Sequence, residues 1–315
     1  MPADANSSFP AGEADAALSG RTSISRNILF AFATVALLVL MAGTLRDLYN
    51  YASDLDNKNA SQVFLIPFVS LGLLFMNRAK IFSRVNYGVV PGSLVMTVGV
   101  ALWGASRTWG PQLLEGDRLG LATSALITLW IGAFLFFYGS RAFHAAMFPL
   151  LFLVFCIPIP SVILEPLIAL LRRGSAEIAY LLLKVSGTPV FRQDFIFAMP
   201  RLTINVAPEC SGIRSFISMV ILTIVAGNVL LESWWRRILL IVVAIPVMLF
   251  KNGLRIATLS LLTIHVDPGI IESRLHREGG IPFFVVALVL LYPFVAMLIR
   301  TERRARLSAL PEATR

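Results

Sequence analysis

The chain has 315 residues, of which 57% are hydrophobic and only 14% charged, and it carries a formal net charge of +9. A soluble domain holds about a quarter charged residues, so this composition excludes an ordinary cytosolic globule. The basic excess does not point to nucleic acid either, because it lies in short loops between apolar runs, as membrane orientation signals do.

Mean hydropathy is +0.77, and several apolar runs approach the ~20 residues that a helix needs to cross a bilayer. Residues 1–26, rich in Ala, Ser, Asp and Glu, predict a disordered cytoplasmic tail. A secretory signal would place its charged region and apolar run at the very start. Here the first run comes later and lacks an evident cleavage site, so it reads as a retained helix. Spans are expected at 28–45, 62–77, 88–106, 119–138, 142–160, 212–231, 238–264 and 281–300. The expected fold class is an all-α polytopic membrane protein, with about eight transmembrane helices, an interfacial helix and a small extracytoplasmic β-hairpin. One transmembrane domain covers 27–300, followed by a basic cytoplasmic tail over 301–315.

The distribution of cations supports an even count of spans. With the N-terminus inside, the inner loops hold Arg21, Arg26, Arg78, Lys80, Arg84, Arg141, Arg236 and Arg237, and the tail adds Arg300, Arg303, Arg304, Arg306 and Arg315. The outer loops mix Arg46 and Lys58 with Asp47, Asp54 and Asp56, and Arg107 and Arg118 with Glu115 and Asp117. Both ends then lie in the cytoplasm.

Segment 161–186 sets Glu165, Arg172, Arg173, Glu177 and Lys184 among leucines and isoleucines. Charges at the bilayer centre are expensive, so an interfacial helix or shallow re-entrant element is expected rather than a ninth span. Residues 187–211 predict an extracytoplasmic hairpin cap. Leu202, Ile204 and Val206 alternate with Thr203 and Asn205, the period of a strand with one buried face, and the run Val190 to Phe197 would be its partner.

The cap leads into Pro208-Glu209-Cys210-Ser211-Gly212-Ile213-Arg214-Ser215. A cysteine at a helix start, beside charge and at a membrane boundary, is in the setting where cysteines become nucleophiles. Arg255 follows Arg236 and Arg237 by some eighteen residues, a rise of about 27 Å, which brings it near the outer surface. Asn252 shares its helix face, and Gly253 permits close helix approach. His276 falls in the last outer loop. A thiolate that attacks a carbonyl, an imidazole that carries the proton and a guanidinium that steadies the oxyanion suit acyl transfer at a peptide bond.

Blander roles compete for several of these residues. Ser211 with Gly212 suits a cap and packing pair better than a second nucleophile. Arg214 either assists the thiol or snorkels to the interface. Glu209 positions the loop or pairs with an arginine. Asn252 hydrogen-bonds between helices or to Arg255, which has Glu165 and Glu177 as potential structural partners. His265, on the same side as His276, reads as a helix-end residue, and His144 faces the cytoplasm. Cys156, in an apolar run, reads as an inert small hydrophobe rather than a disulfide partner of Cys210. No CxxC, HExxH, Walker or Rossmann pattern is present, so no metal or cofactor is expected.

These pieces resemble the exosortases, of the exosortase/archaeosortase membrane transpeptidases. The resemblance rests on Glu209-Cys210-Ser211-Gly212-Ile213-Arg214-Ser215, on Asn252-Gly253-Leu254-Arg255-Ile256, and on His276 followed by Gly280. Ser61 to Arg78, Ile157-Pro158-Ile159-Pro160 and Ser186-Gly187-Thr188-Pro189-Val190 also fit, so it covers roughly 30–300. Pro208 departs from the commonest pattern, which has a small residue there. The resemblance implies Cys210 as nucleophile, Arg255 as basic partner and His276 as third member, with either of the latter two handling the thiol proton. It implies a protease/transpeptidase of the bacterial inner membrane, active at the outer face and linked to exopolysaccharide and biofilm surface-protein sorting. The implied substrates are exported, membrane-anchored proteins with PEP-CTERM sorting signals: a Pro-Glu-Pro-type motif, a transmembrane helix and a basic tail. The acceptor, an amine or water, stays open. The rival reading is a lipid-linked saccharide polymerase or transporter that holds pyrophosphate on outer-facing arginines and needs no thiol.

Overall fold

A computed structural model of the protein describes residues 11–53, 62–83, 85–200, 202–272 and 280–308. The expectations placed on Asp54, Asp56, Lys58, Ser61, Arg84, His276 and Arg315 therefore lie outside the described residues. The chain is an all-α polytopic membrane protein with one small sheet among the described residues, and it divides into two compact units, Met1–Ser161 and Val162–Arg315.

The first unit carries α1 (Ala11–Leu40), α2 (Ala42–Ser53), α3 (Leu65–Met76), α4 (Arg78–Ile81), α5 (Val89–Thr108), α6 (Glu115–Ala145) and α7 (Met147–Phe152). Helix α1 begins inside the stretch whose composition predicted a disordered tail to residue 26. Its start, Ala11-Gly12-Glu13-Ala14-Asp15-Ala16-Ala17-Leu18, is alanine-rich, and alanine has the highest helix propensity. The scaffold of the unit is the α5–α6 pair. A Cβ added at Gly92 would fall 2.5 Å from Phe136 Cα, so only glycine lets the two backbones meet there. Helix α6 loses helical geometry at Gly139 (φ 80°), where the fourth span was expected to end. Beside that kink Phe30, Trp130, Phe134 and Tyr138 form a tilted and edge-to-face aromatic cluster. At the far end of α6, the Asp117 carboxylate accepts hydrogen bonds from Ser161 N (2.7 Å) and Oγ (2.6 Å), which fixes the start of α8 (Ser161–Val185).

The second unit holds the rest of α8, then β1 (Phe191–Gln193), β2 (Ile196–Met199) and β3 (Leu202–Asn205), α9 (Ile213–Leu230), α10 (Trp234–His265) and a last helix, Gly280–Ser308. The cap is a three-stranded antiparallel meander in the order β1-β2-β3, not a two-stranded hairpin. The run Val190 to Phe197 does not form one strand, because it folds back at Asp194, whose φ is 51°. Phe197 of β2, 0% exposed, anchors the sheet in a core with Ala176, Ala179 and Leu183 of α8, Met199, Val206 and Ala257 of α10. A second core joins α9, α10 and the last helix through Met219, Leu240, Ala244, Met248, Ala287, Leu291 and Leu298.

Among the described residues, five helices are long and apolar enough to cross a membrane, and up to seven spans result if each of two bent pairs counts as one. The pairs are Ile24–Leu40 with Ala42–Ser53, bent by 66°, and Met147–Cys156 with Ser161–Val185. Eight straight spans were expected. The span expected at 62–77 is a shorter apolar helix, Gln62–Met76. The one expected at 142–160 breaks up because Pro158 and Pro160 cannot continue a helix.

Candidate active site

The loop that carries Cys210 is tied down from both sides. Upstream, Arg172 of α8 donates from Nε to the Val206 carbonyl and from Nη2 to Asn205 Oδ1 (3.4 Å), while its guanidinium lies 3.7 Å from the centre of the Phe195 ring. The end of β3 is thus held where the chain leaves the sheet. Pro208 then opens a single 3₁₀ turn, Pro208–Ser211, in which Cys210 N–H donates to the Ala207 carbonyl at 2.9 Å. Downstream, Gly212 adopts φ 76° and ψ 17°, a left-handed conformation that links this turn to α9.

Helix α10 grips the loop from the opposite side. Asn252, 2% exposed, donates from Nδ2 to the Cys210 carbonyl (2.7 Å) and to Ser175 Oγ of α8 (3.0 Å). The bond to a carbonyl, which can only accept, fixes which end of the amide faces Cys210. A Cβ on residue 212 would fall 2.8 Å from both Cγ and Oδ1 of Asn252, so the close approach requires glycine. Helices α8 and α10 come together at the same level, where a Cβ on Gly253 would fall 2.6 Å from Ile178 Cγ2.

Cys210 is a free, half-buried cysteine that packs against the core of the sheet. Arg255, three residues after Asn252 and on the same helix face, lies within electrostatic reach of the Cys210 sulfur. It also reaches Arg214 in the first turn of α9 and Lys251 one turn back on α10. Ser211 is 2% exposed, and its Oγ has no hydrogen-bond partner among the described residues. Glu209 is exposed beside it. The structure therefore brings Cys210, Ser211, Arg214, Asn252 and Arg255 together, and His276 lies outside the described residues. Sequence reasoning missed Lys251 and Ser175.

Other candidates sit elsewhere. Glu177 is not a partner of Arg255; it forms a bidentate ion pair with Arg192 of β1 (2.7 and 2.8 Å), which holds the Arg192 pKa above its usual value. His265 Nδ1 lies 3.0 Å from the Leu261 carbonyl, one turn back in its own helix, and His144 Nδ1 lies 2.6 Å from that of Ser140. Cys156 is buried, with Sγ 3.9 Å from the Val63 carbonyl, and it too is free. No group of three metal-ligating side chains occurs among the described residues.

A half-buried sulfur with an always-charged guanidinium in reach suits chemistry in which negative charge collects on sulfur or on an oxygen bound next to it. No curated protein and no solved structure matches the chain. The family model described as transmembrane exosortase matches residues 54–293 and so spans every residue of this cluster. With that match over well more than half of its length, the chain belongs to the transmembrane exosortase family.

Proposed function

We propose that the protein is a cysteine transpeptidase that processes C-terminal Pro-Glu-Pro-type sorting signals of exported proteins at the outer face of the inner membrane. Cys210 Sγ attacks the scissile carbonyl carbon, the C–N bond breaks, and the released amine takes the proton that came from the thiol. The acyl group stays on sulfur as a thioester until an amine or water displaces it and returns the sulfur to the thiol. Arg255 stabilises the charge on sulfur and on the tetrahedral oxygen. His276 carries the proton from thiol to leaving amine.

The observation that supports this reading is the clamp on Cys210. Its own carbonyl is held by Asn252, one helical turn from Arg255, so thiol and guanidinium are fixed by one rigid helix. Such preorganisation is what transition-state stabilisation demands. The basic inner loops and tail support both termini in the cytoplasm, and a sorting signal just outside its own transmembrane helix would then meet the thiol at membrane level.

The test is co-expression of a signal-bearing reporter protein with wild type or Cys210→Ala. Wild type should shorten the reporter and Cys210→Ala should leave it intact; equal processing would reject the thiol mechanism. Mass spectrometry of the new C-terminus identifies the acceptor, since a free carboxylate means water and an added group means an amine.

A further inference from the structure

The kink in α6 opens a cavity that the chemistry of Cys210 does not use. It has a volume of about 500 Å³ and lies within the first unit, between the start of α5 and the break at Gly139. That size is within the ~300–1,000 Å³ of small-molecule sites. Two close backbone approaches build it. Gly88 N–H donates to the Phe136 carbonyl at 2.9 Å, and the Asn86 carbonyl occupies the place that a Cβ on residue 139 would need. The segment ahead of α5 is thereby fixed against the kink.

The lining combines two chemistries. Asn86, Tyr87, Ser140 and Arg141 offer hydrogen-bond donors and one positive charge, while Val89 and Val90 offer apolar surface. Among the described residues no carboxylate lines the cavity and Arg141 forms no ion pair. A second cation stands behind the wall. Tyr138, which also lines the cavity, donates from its hydroxyl to Asn27 Oδ1 of α1 (3.1 Å), and the Arg26 guanidinium lies 5.6 Å from its ring centre. The cavity also continues into an apolar stripe. Val90, Leu94 and Val98 follow one another at four-residue spacing on one face of α5, and they are 71, 64 and 55% exposed. The stripe rises about 12 Å from the cavity along the span.

We propose that this cavity seats the phosphate headgroup of an anionic phospholipid, with Arg141 as its counter-charge and an acyl chain laid along Val90, Leu94 and Val98. Basic pockets between transmembrane helices hold lipid headgroups in this way. The guanidinium of Arg141 pairs with phosphate oxygens through charge-assisted hydrogen bonds, and the hydroxyls of Tyr87 and Ser140 donate to the oxygens that remain. A zwitterionic lipid fits less well, because its ammonium would arrive beside Arg141 and meet no carboxylate. A free phosphate would leave the apolar stripe unused. The bound lipid would brace α6 where its helical geometry is lost and hold the start of α5 against it.

The test does not involve Cys210, so it stands or falls apart from the thiol mechanism. Purified full-length protein is reconstituted in nanodiscs of phosphatidylcholine and phosphatidylglycerol in equal parts, and the lipid retained on release is identified by native mass spectrometry. Wild type should retain phosphatidylglycerol in at least ~10-fold excess, the factor expected of one hydrogen bond to a charged group. Arg141→Gln should abolish that excess and Arg141→Lys should keep it. Ser140→Phe fills the cavity without changing the charge and should abolish the excess as well. Arg46→Gln removes the same charge from α2, outside the cavity, and should keep it. An unchanged melting temperature in phosphatidylcholine alone shows that each variant is folded, and if one of the two cavity variants does not fold, the other decides. Equal retention of both lipids, or an excess that survives Arg141→Gln or Ser140→Phe, would overturn the site. Loss of the excess in Arg46→Gln would reduce it to general charge attraction and overturn it too. Inorganic phosphate should not displace the lipid; displacement would give the cavity to a free anion instead.

Discussion

An alanine at position 212 would have to adopt the left-handed φ of 76° and push its Cβ to 2.8 Å from the Asn252 side chain. The conformation alone costs about 1–2 kcal/mol, and moving Asn252 breaks its bond to the Cys210 carbonyl, worth about 1 kcal/mol more. Gly212→Ala should therefore lower both the melting temperature and the rate of signal processing, and the rate should fall more than stability alone explains. Asn252→Asp separates the two effects. It keeps the volume but turns an acceptor oxygen toward the Cys210 carbonyl, so it should be the more damaging of Asn252→Asp and Asn252→Ala. A gel-based processing assay beside a thermal melt of the same variants decides this, and equal rates for the two would show that the amide donor is not what positions the loop.

Among the elements, α10 organises the second unit, and its start is latched by one carboxylate. Glu302 of the last helix accepts from Ser233 N (2.8 Å), Ser233 Oγ (2.6 Å) and Glu232 N (3.0 Å), and pairs with Arg236 at 2.9 Å. Ser233 is the N-cap position of α10, so a side chain distant in sequence supplies the capping oxygen that the serine itself does not. Glu302→Ala leaves a largely buried Arg236 without its counter-charge and should destabilise the protein by about 3 kcal/mol, read as a lower midpoint of thermal unfolding in detergent. None of this latch was legible beforehand, because its partners are about seventy residues apart. Strand β3 was legible from its alternation, whereas β1 and β2 were not. They have three and four residues, and the turn between them uses Asp194 rather than a Gly or Pro signal. Cys210, Asn252 and Arg255 stood out by residue type and motif. Lys251 carries a signal of its own, as an ionisable residue inside an apolar run, but its burial depends on how α10 packs and cannot be read from the sequence.

At the scale of the whole molecule, the side of the membrane on which each terminus lies depends on one short element. Among the described residues five helices qualify as spans and the two bent pairs bring the count to at most seven, an odd number that would put the termini on opposite sides. The helix Gln62–Met76 decides the parity. Its fifteen residues rise about 22 Å, short of a ~30 Å hydrocarbon core. Two features extend its reach. The chain runs on through Asn77 into α4, and Arg78 folds back, donating to the Phe75 carbonyl at 3.0 Å with its guanidinium 4.0 Å from the Phe75 ring centre. That posture lets a basic side chain reach the interface from a short helix, and a short span is accommodated by local thinning of the bilayer at modest cost. Counting it as a crossing would give eight and predicts both termini in the cytoplasm, the side that the basic residues of the last helix, Arg300, Arg303, Arg304 and Arg306, favour. A reporter that is active only in the cytoplasm, fused after residue 308 and separately ahead of residue 11, should report the same compartment from both positions. Deleting residues 65–76 should move the reporter at one terminus across the membrane. If the two full-length fusions already report opposite sides, 62–76 does not cross, and the sidedness assigned to the Cys210 cluster fails with it.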